Sequence, residues 1–292
     1  MKTNVDCYPC YFRQSLQAAR FSTDDPNMHW KVMRAVAGFL SGLADDTNSM
    51  ETAEQFHNIV KETLGDPDPY LKVKEEYTQM AEDMEPAIEK LSVSGGDDSL
   101  AAAVKLAIAG NIIDFGAGGV FDVETAIRGA LDFPFAIDHF EAFKREIGKA
   151  KTVLYLGDNT GEIYFDKPLL KLLKGKEVTF VARGGPILND ATVDYAERAG
   201  LGAFATLTDS GLAVPGFPVE RVRKEVRKLF DTADVVIAKG QANFESLHDN
   251  DRPSIFFLLK IKCDLVARML EGVKCGDIVI MESGRLPIQE EL

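Results

Sequence analysis

From residue 152 onward the chain repeats one unit: a short apolar run, a turn rich in glycine and acids, then an amphipathic stretch. No other feature constrains the fold as much. The apolar runs lie at 152–156, 178–182, 203–207, 235–238, 254–259 and 277–281, and most show little polar alternation. Strands of that kind are buried on both faces, as in a parallel sheet covered by helices. Helical patterns fill the gaps at 163–173, 191–198, 219–229 and 264–270, so the serial βα units predict a doubly wound α/β domain.

The preceding half reads differently. Helical periodicity recurs at 11–19, 30–43, 52–64, 70–91, 100–109, 123–131 and 137–147, with almost no strand signal. The expected organisation is a helical region over 1–149 followed by an α/β domain over 150–292. Phe12, Trp30 and Phe39 fall in amphipathic stretches and are expected in the core. Lys74-Glu75-Glu76 and the pair Glu290-Glu291 read as solvated surface.

Ligands of open parallel sheets bind beyond the carboxyl ends of the strands, and three such ends carry chemistry. The first is Gly157-Asp158-Asn159-Thr160-Gly161-Glu162, an acid and an amide between glycines. Taken alone, Asp158 or Asn159 is equally well a helix cap. The second, Arg183-Gly184-Gly185-Pro186 running to Asn189-Asp190, adds an arginine and another acid. The third, Lys239-Gly240-Gln241-Ala242-Asn243-Phe244-Glu245, sets a lysine at the tip of a buried strand, although most lysines are solvated. Two carboxylates and an amide oxygen make a hard site suited to Mg²⁺ or Mn²⁺, and Arg183 with Lys239 suits phosphate. Glu162 and Glu245 beside them are either acids supporting the site or solvated helix carboxylates.

The usual rivals for this fold lack their signatures. Gly157 to Gly161 is not G-x-G-x-x-G, and Arg183 stands where a ribose-binding acid would be. That missing acid also counts against S-adenosylmethionine. There is no P-loop and no G-x-S-x-G elbow, and His29, His57, His139 and His248 all lie outside the three loops. The 292 residues carry 33 Lys plus Arg against 46 Asp plus Glu, a net charge of −13 that disfavours nucleic acid. No apolar run approaches the ~20 residues of a membrane span. The first residues lack the apolar core of a signal peptide, so the expected location is cytoplasmic and the four cysteines are expected to be thiols or ligands.

The three loops together resemble the motifs of the damage-control phosphatases, the ARMT-like metal-dependent phosphatases. Cys7-Tyr8-Pro9-Cys10 and Gly110-Asn111-Ile112-Ile113-Asp114 extend the resemblance towards the start of the chain, in the subgroup with an N-terminal cysteine pair. The resemblance implies a helical region packed on an α/β/α sandwich and a divalent ion (Mn, Ni, Co or Mg) held by Asp158, Asn159 and Asp190. It places Lys239 and Asn243 at the substrate phosphate and brings Asn111 to the pocket from the helical region, with Arg183 and Asp114 as weaker assignments. It implies hydrolysis of phosphate esters of small, damaged or surplus metabolites, such as sugar phosphates or phosphopantetheine-like compounds. Whether water or a carboxylate of Asp158 or Asp190 attacks phosphorus stays open, as do two other readings: an S-adenosylmethionine-dependent protein carboxyl methyltransferase and a non-catalytic metabolite or metal sensor.

Two segments carry further expectations. Phe115 and Phe121, flanking Gly116 to Gly119, suggest a gate over the pocket. The C-x-x-C of Cys7 and Cys10 lacks the second C-x-x-C of a structural zinc site, which leaves a buried apolar pair as the plain reading, while the resemblance implies a redox- or metal-sensitive pair beside the pocket.

Overall fold

The computed structural model describes residues 1–44, 46–92, 99–110, 129 and 131–286. The expected helix at 123–131, the glycine segment with its two phenylalanines, Asn111, Asp114 and Glu290-Glu291 lie wholly or almost wholly outside the described residues.

Five helices open the chain: α1 (Tyr8–Ser22), α2 (Pro26–Ser41), α3 (Ser49–Leu64), α4 (Leu71–Ser92) and α5 (Ser99–Ala109). Their starts follow local chemistry. Asp25 accepts from the Asn27 amide with Pro26 in the first turn of α2, and Asn48 accepts from the Met50 amide to cap α3. Then come β1 (Phe135–Asp138), α6 (Phe140–Lys149), β2 (Thr152–Leu156), α7 (Glu162–Leu172), β3 (Glu177–Ala182), α8 (Val193–Arg198) and β4 (Thr206–Asp209). The chain continues through α9 (Lys224–Thr232), β5 (Val235–Lys239), α10 (Gly240–Leu247), β6 (Ile255–Lys260), α11 (Asp264–Met269) and β7 (Ile278–Glu282).

The seven strands form one sheet in the order β1-β7-β6-β5-β2-β3-β4. All neighbours are parallel except β6 and β7. From β2 the chain winds outward to β3 and β4, and from β5 it winds the other way to β6, so the order reverses between β2 and β5. That is where an open α/β sheet binds ligands.

Successive residues of β2 serve opposite layers. Val153 and Tyr155 join a core with α4, α5, α6, α7 and α8, while Leu154 and Leu156 join one with α9, α10 and α11. A third cluster, built on Tyr11, Val36, Phe56 and Tyr70, holds α1, α2 and α3 together. Along the outside, Glu82 pairs with Tyr164 and Arg198, Glu85 with Lys167 and Glu89 with Lys171, a ladder that lays α4 alongside α7.

Several expectations need correction. The stretch 137–147 splits into β1 and α6, because a four-residue edge strand runs directly into an amphipathic helix and its pattern merges with it. The run at 203–207 becomes a 3-10 turn at Leu201–Ala203 followed by β4. The helix expected at 219–229 starts at Lys224, since Phe217, Val219 and Val222 enter the core as loop residues instead. Trp30 is 64% exposed, under the Arg34 guanidinium, whereas Phe12 and Phe39 pack against the third cluster. Lys74, read as solvated, is 1% exposed and bonds Asp68 at 2.5 Å.

The third cluster contains one polar side chain with a consequence for stability. His57 is buried against the Phe56 ring, and its Nε2 donates to Gln14 Oε1 at 3.3 Å. Burial, helped by Lys61, pushes its pKa down to about 3. The unfolded chain therefore binds a proton near pH 6.5 that the folded chain refuses, and stability rises with pH between these values. We expect the stability of a His57→Phe variant to depend on pH less steeply than that of the parent, by about 1.4 kcal/mol per pH unit between about pH 4 and 6. Urea unfolding across that range measures it, and parallel slopes would refute it.

Candidate active site

The carboxyl ends of β2, β3 and β5 meet under the helical region and open into a cavity of about 790 Å³. Its floor includes Asp158, Asn159 and Asp190. Its walls include Cys7, Cys10, Tyr11, Tyr70 and Tyr77 from the helical region, with Lys262, Cys263 and Arg268 opposite.

The floor is built by backbone first. The Asp158 carbonyl accepts from the Ala191 amide at 2.7 Å, and Asn159 and Asp190 form an antiparallel bridge, which sets the first two loops edge to edge. Leu188, in the turn leading to Asp190, has φ of 46°, a strained value for leucine, and lines the same cavity. The third loop comes close only because residue 240 is glycine: at φ of 77° its backbone lies against the Asp158 carboxylate, and a Cβ there would collide with it.

The side chains form two linked groups. Arg183 Nε donates to Asp190 Oδ2 at 2.6 Å, and its Nη1 donates to the Gly216 carbonyl at 2.7 Å and Asn243 Oδ1 at 3.3 Å. Arg183 Nη2 is buried without a hydrogen bond and stands 3.7 Å from Asp158 Oδ1. Asn243 Nδ2 donates to the carbonyls of Gly157 at 3.1 Å and Lys239 at 2.7 Å, so it ties the β2 and β5 loops together. Asn159 Nδ2 donates to Asp158 Oδ2 and Glu162 Oε2, both at 2.9 Å, linking the floor to the second group.

That second group centres on Lys239, which is 0% exposed. Its Nζ donates to Glu162 Oε1 at 2.5 Å, Asp166 Oδ1 at 2.6 Å and the Ala107 carbonyl at 2.7 Å, using all three ammonium protons. The Tyr155 hydroxyl also donates to Asp166 Oδ1, at 2.7 Å. Glu162 and Asp166 sit four residues apart on α7, on the face turned towards β5.

The electrostatics follow from counting buried charges here. Among the described residues, four buried carboxylates, Asp158, Glu162, Asp166 and Asp190, crowd two buried cations, Arg183 and Lys239, and the exposed Lys262 also acts on Asp190. Burial, with Asp158 nearby, raises Glu162 to about 7 against the pull of Lys239. Burial also raises Asp190 to about 6, against Arg183 and again with Asp158 adding to the rise. Burial alone would push the Lys239 ammonium down, but Asp166 and Glu162 outweigh it and hold its pKa above the ordinary value.

The structure thus brings Asp158, Asn159 and Asp190 together on the cavity floor, with Arg183 and Asn243 directly behind them. Lys239 lies deeper, on carboxylates that sequence reasoning did not pair with it. Glu162, weighed earlier as a solvated carboxylate, is buried, and Asp166 and Tyr155 were missed. Glu245 lines the cavity and accepts from Gln241 at 2.7 Å. Among the described residues no three His, Cys, Asp or Glu side chains form a metal-holding cluster; the donors on the floor are two carboxylates and an amide.

A reversing α/β sheet with oxygen donors and a buried arginine at the reversal defines the class of open α/β proteins that bind a small ligand at the strand ends. The chain belongs to the damage-control phosphatase ARMT1-like family, whose domain matches residues 3–277. A damage-control phosphatase of Pyrococcus horikoshii is 34% identical over 290 residues, covering 97% of this chain and 99% of that protein. One of Archaeoglobus fulgidus is 35% identical, covering 96% and 98%. A mouse 4'-phosphopantetheine phosphatase matches over 147 residues at 31% identity, 45% of this chain and 18% of that protein. The crystal structure of a DUF89 family protein from P. horikoshii superposes with a TM-score of 0.90 at 33% identity, covering 97% and 99% of the two chains.

Proposed function

We propose that the protein is a divalent-metal-dependent phosphatase that hydrolyses phosphate esters of small metabolites, damaged or surplus ones in particular. The observation that carries this reading is the convergence of Asp158, Asn159 and Asp190 at the sheet reversal, on the floor of a cavity of about 790 Å³. Two buried carboxylates, Asp158 and Asp190, and the neighbouring Asn159 amide suit a hard cation such as Mg²⁺, Mn²⁺, Co²⁺ or Ni²⁺. Family membership supports the reaction class.

In this reading Asp158, Asn159 and Asp190 hold the cation. Bound there, it supplies positive charge to the phosphate oxygens as charge develops on them. Arg183 fixes the Asp190 carboxylate through Nε, and its buried Nη2 sets a positive charge 3.7 Å from Asp158 Oδ1 behind the floor. Asn243 holds the β2 and β5 loops in register. Lys239 orients Glu162, which orients Asn159, so it acts through the floor as a positioning residue. The tyrosines and cysteines of the wall contact the organic part of the substrate.

The decisive experiment measures phosphate release from sugar phosphates, nucleotides and phosphopantetheine with each of the four metals, beside calorimetric titration of the metal alone. Metal binding with metal-dependent release from at least one ester is the expected result. Binding with no release from any ester would favour a sensor, and release unaffected by chelator would remove the cation from the mechanism.

A further inference from the structure

The cysteines of the C-x-x-C stand in unlike surroundings. Cys7 is the residue before α1 and already has helical backbone angles, with Pro9 in the first turn, so Cys7 and Cys10 are neighbours across one turn. Residues so placed have Cβ atoms about 5–6 Å apart, and a small movement of the turn brings them to the roughly 3.5–4.5 Å of a disulfide. Both line the cavity and both are free thiols.

Cys10 Sγ accepts two hydrogen bonds, from Arg13 Nη2 at 3.5 Å and Gln14 Nε2 at 3.3 Å. Gln14 is held in turn: its Oε1 accepts from buried His57, and its carbonyl accepts from the Tyr70 hydroxyl at 3.4 Å. A guanidinium and an oriented amide are thus aimed at one sulfur, in the first turn of a 15-residue helix. Cys7 has the Tyr11 side chain beside it in place of a guanidinium, and burial raises its thiol pKa. Cys263 and Cys275 line the same cavity without a cysteine three residues away, and Cys275 is exposed.

We propose that Cys10 and Cys7 form a thiol–disulfide exchange site on the cavity wall that accepts low-molecular-weight disulfides, Cys10 attacking and Cys7 resolving. The Cys10 thiolate attacks one sulfur of the disulfide, forming a mixed disulfide and releasing one small thiolate, which takes up the proton that Cys10 gave to solvent. Cys7 loses its proton to solvent and attacks Cys10 Sγ, closing the Cys7–Cys10 bond and releasing the second small thiolate, which is protonated. Two protein thiols are oxidised and one disulfide is reduced to two thiols. Closure draws the Cys10 sulfur away from Arg13 and Gln14, so the oxidation state of the pair reshapes the wall above Asp158.

The test reads thiol chemistry alone and stands or falls apart from phosphatase activity. Alkylation of the reduced protein near pH 7, followed by peptide mass spectrometry, is expected to label Cys10 faster than the exposed Cys275. Arg13→Gln is expected to slow labelling of Cys10 by about 3–10-fold, with Cys275 unchanged. Oxidised glutathione should close the Cys7–Cys10 bond in the parent and leave glutathione on Cys10 in Cys7→Ser. Labelling of Cys10 no faster than of Cys275 would overturn the proposal without recourse to any variant, as would glutathione bound to Cys7 in preference to Cys10.

Discussion

Replacing Lys239 with methionine is expected to lower the unfolding free energy by about 3–5 kcal/mol, because it leaves Glu162 and Asp166 buried without their cation. Urea unfolding measures this directly. Neutralising the partners in the same chain, as Lys239→Met with Glu162→Gln and Asp166→Asn, should recover more than half of the loss, since the penalty belongs to the stranded charges. A Lys239→Met protein within about 1 kcal/mol of the parent, yet reduced ~10²-fold or more in kcat/KM, would put the ammonium on the substrate phosphate, as the strand-tip position first suggested.

The floor carboxylates should behave in the opposite way. Asp158→Asn and Asp190→Asn are each expected to reduce turnover by ~10³-fold or more, because each removes both a charge and an oxygen donor from a hard cation. Without metal, Asp190→Asn should raise the melting temperature, since burial beside Asp158 already disfavours that charge against the pull of Arg183. Saturating metal stabilises a folded protein by about 2.7 kcal/mol at a hundred times its dissociation constant, and both variants should lose that increment. Thermal unfolding with and without metal separates this result from simple misfolding. A variant that keeps the metal increment would take its residue off the cation.

Which parts of this were legible in the sequence follows from how local each signal is. β2, β3 and β5 were readable because strands buried on both faces are contiguous apolar runs, and their ends carry the site in unbroken motifs. The partners of Lys239 were hidden for the opposite reason: Asp166 lies 73 residues away and Ala107 lies 132 away, and no local pattern joins them. One signal was available, since Glu162 and Asp166 are spaced to share one face of α7, a helix with apolar residues on every side. β1 was lost because four residues at a sheet edge carry too little alternation to interrupt the helix that follows. Lys74 misled because a Lys-Glu-Glu run looks solvated, and its burial is made tolerable by Asp68, six residues earlier and outside α4, and by the Tyr195 ring beneath its ammonium.

The bond from Lys239 to the Ala107 carbonyl also bears on the order in which the molecule comes into being. α5 is apolar around most of its circumference, and its residues from Ala103 to Ala109 are covered chiefly by α7 and the sheet. A nascent chain growing from its first residue presents α5 more than fifty residues before α7 exists, and well over a hundred before Lys239 does. Through that interval the helix has an uncovered greasy surface and, at its end, a carbonyl whose eventual donor has not been made. The helical half can pre-form around Tyr11 and Phe56, but α5 must wait uncovered, and the cavity floor gains its support from Gly240 and Asn243 only after that interval.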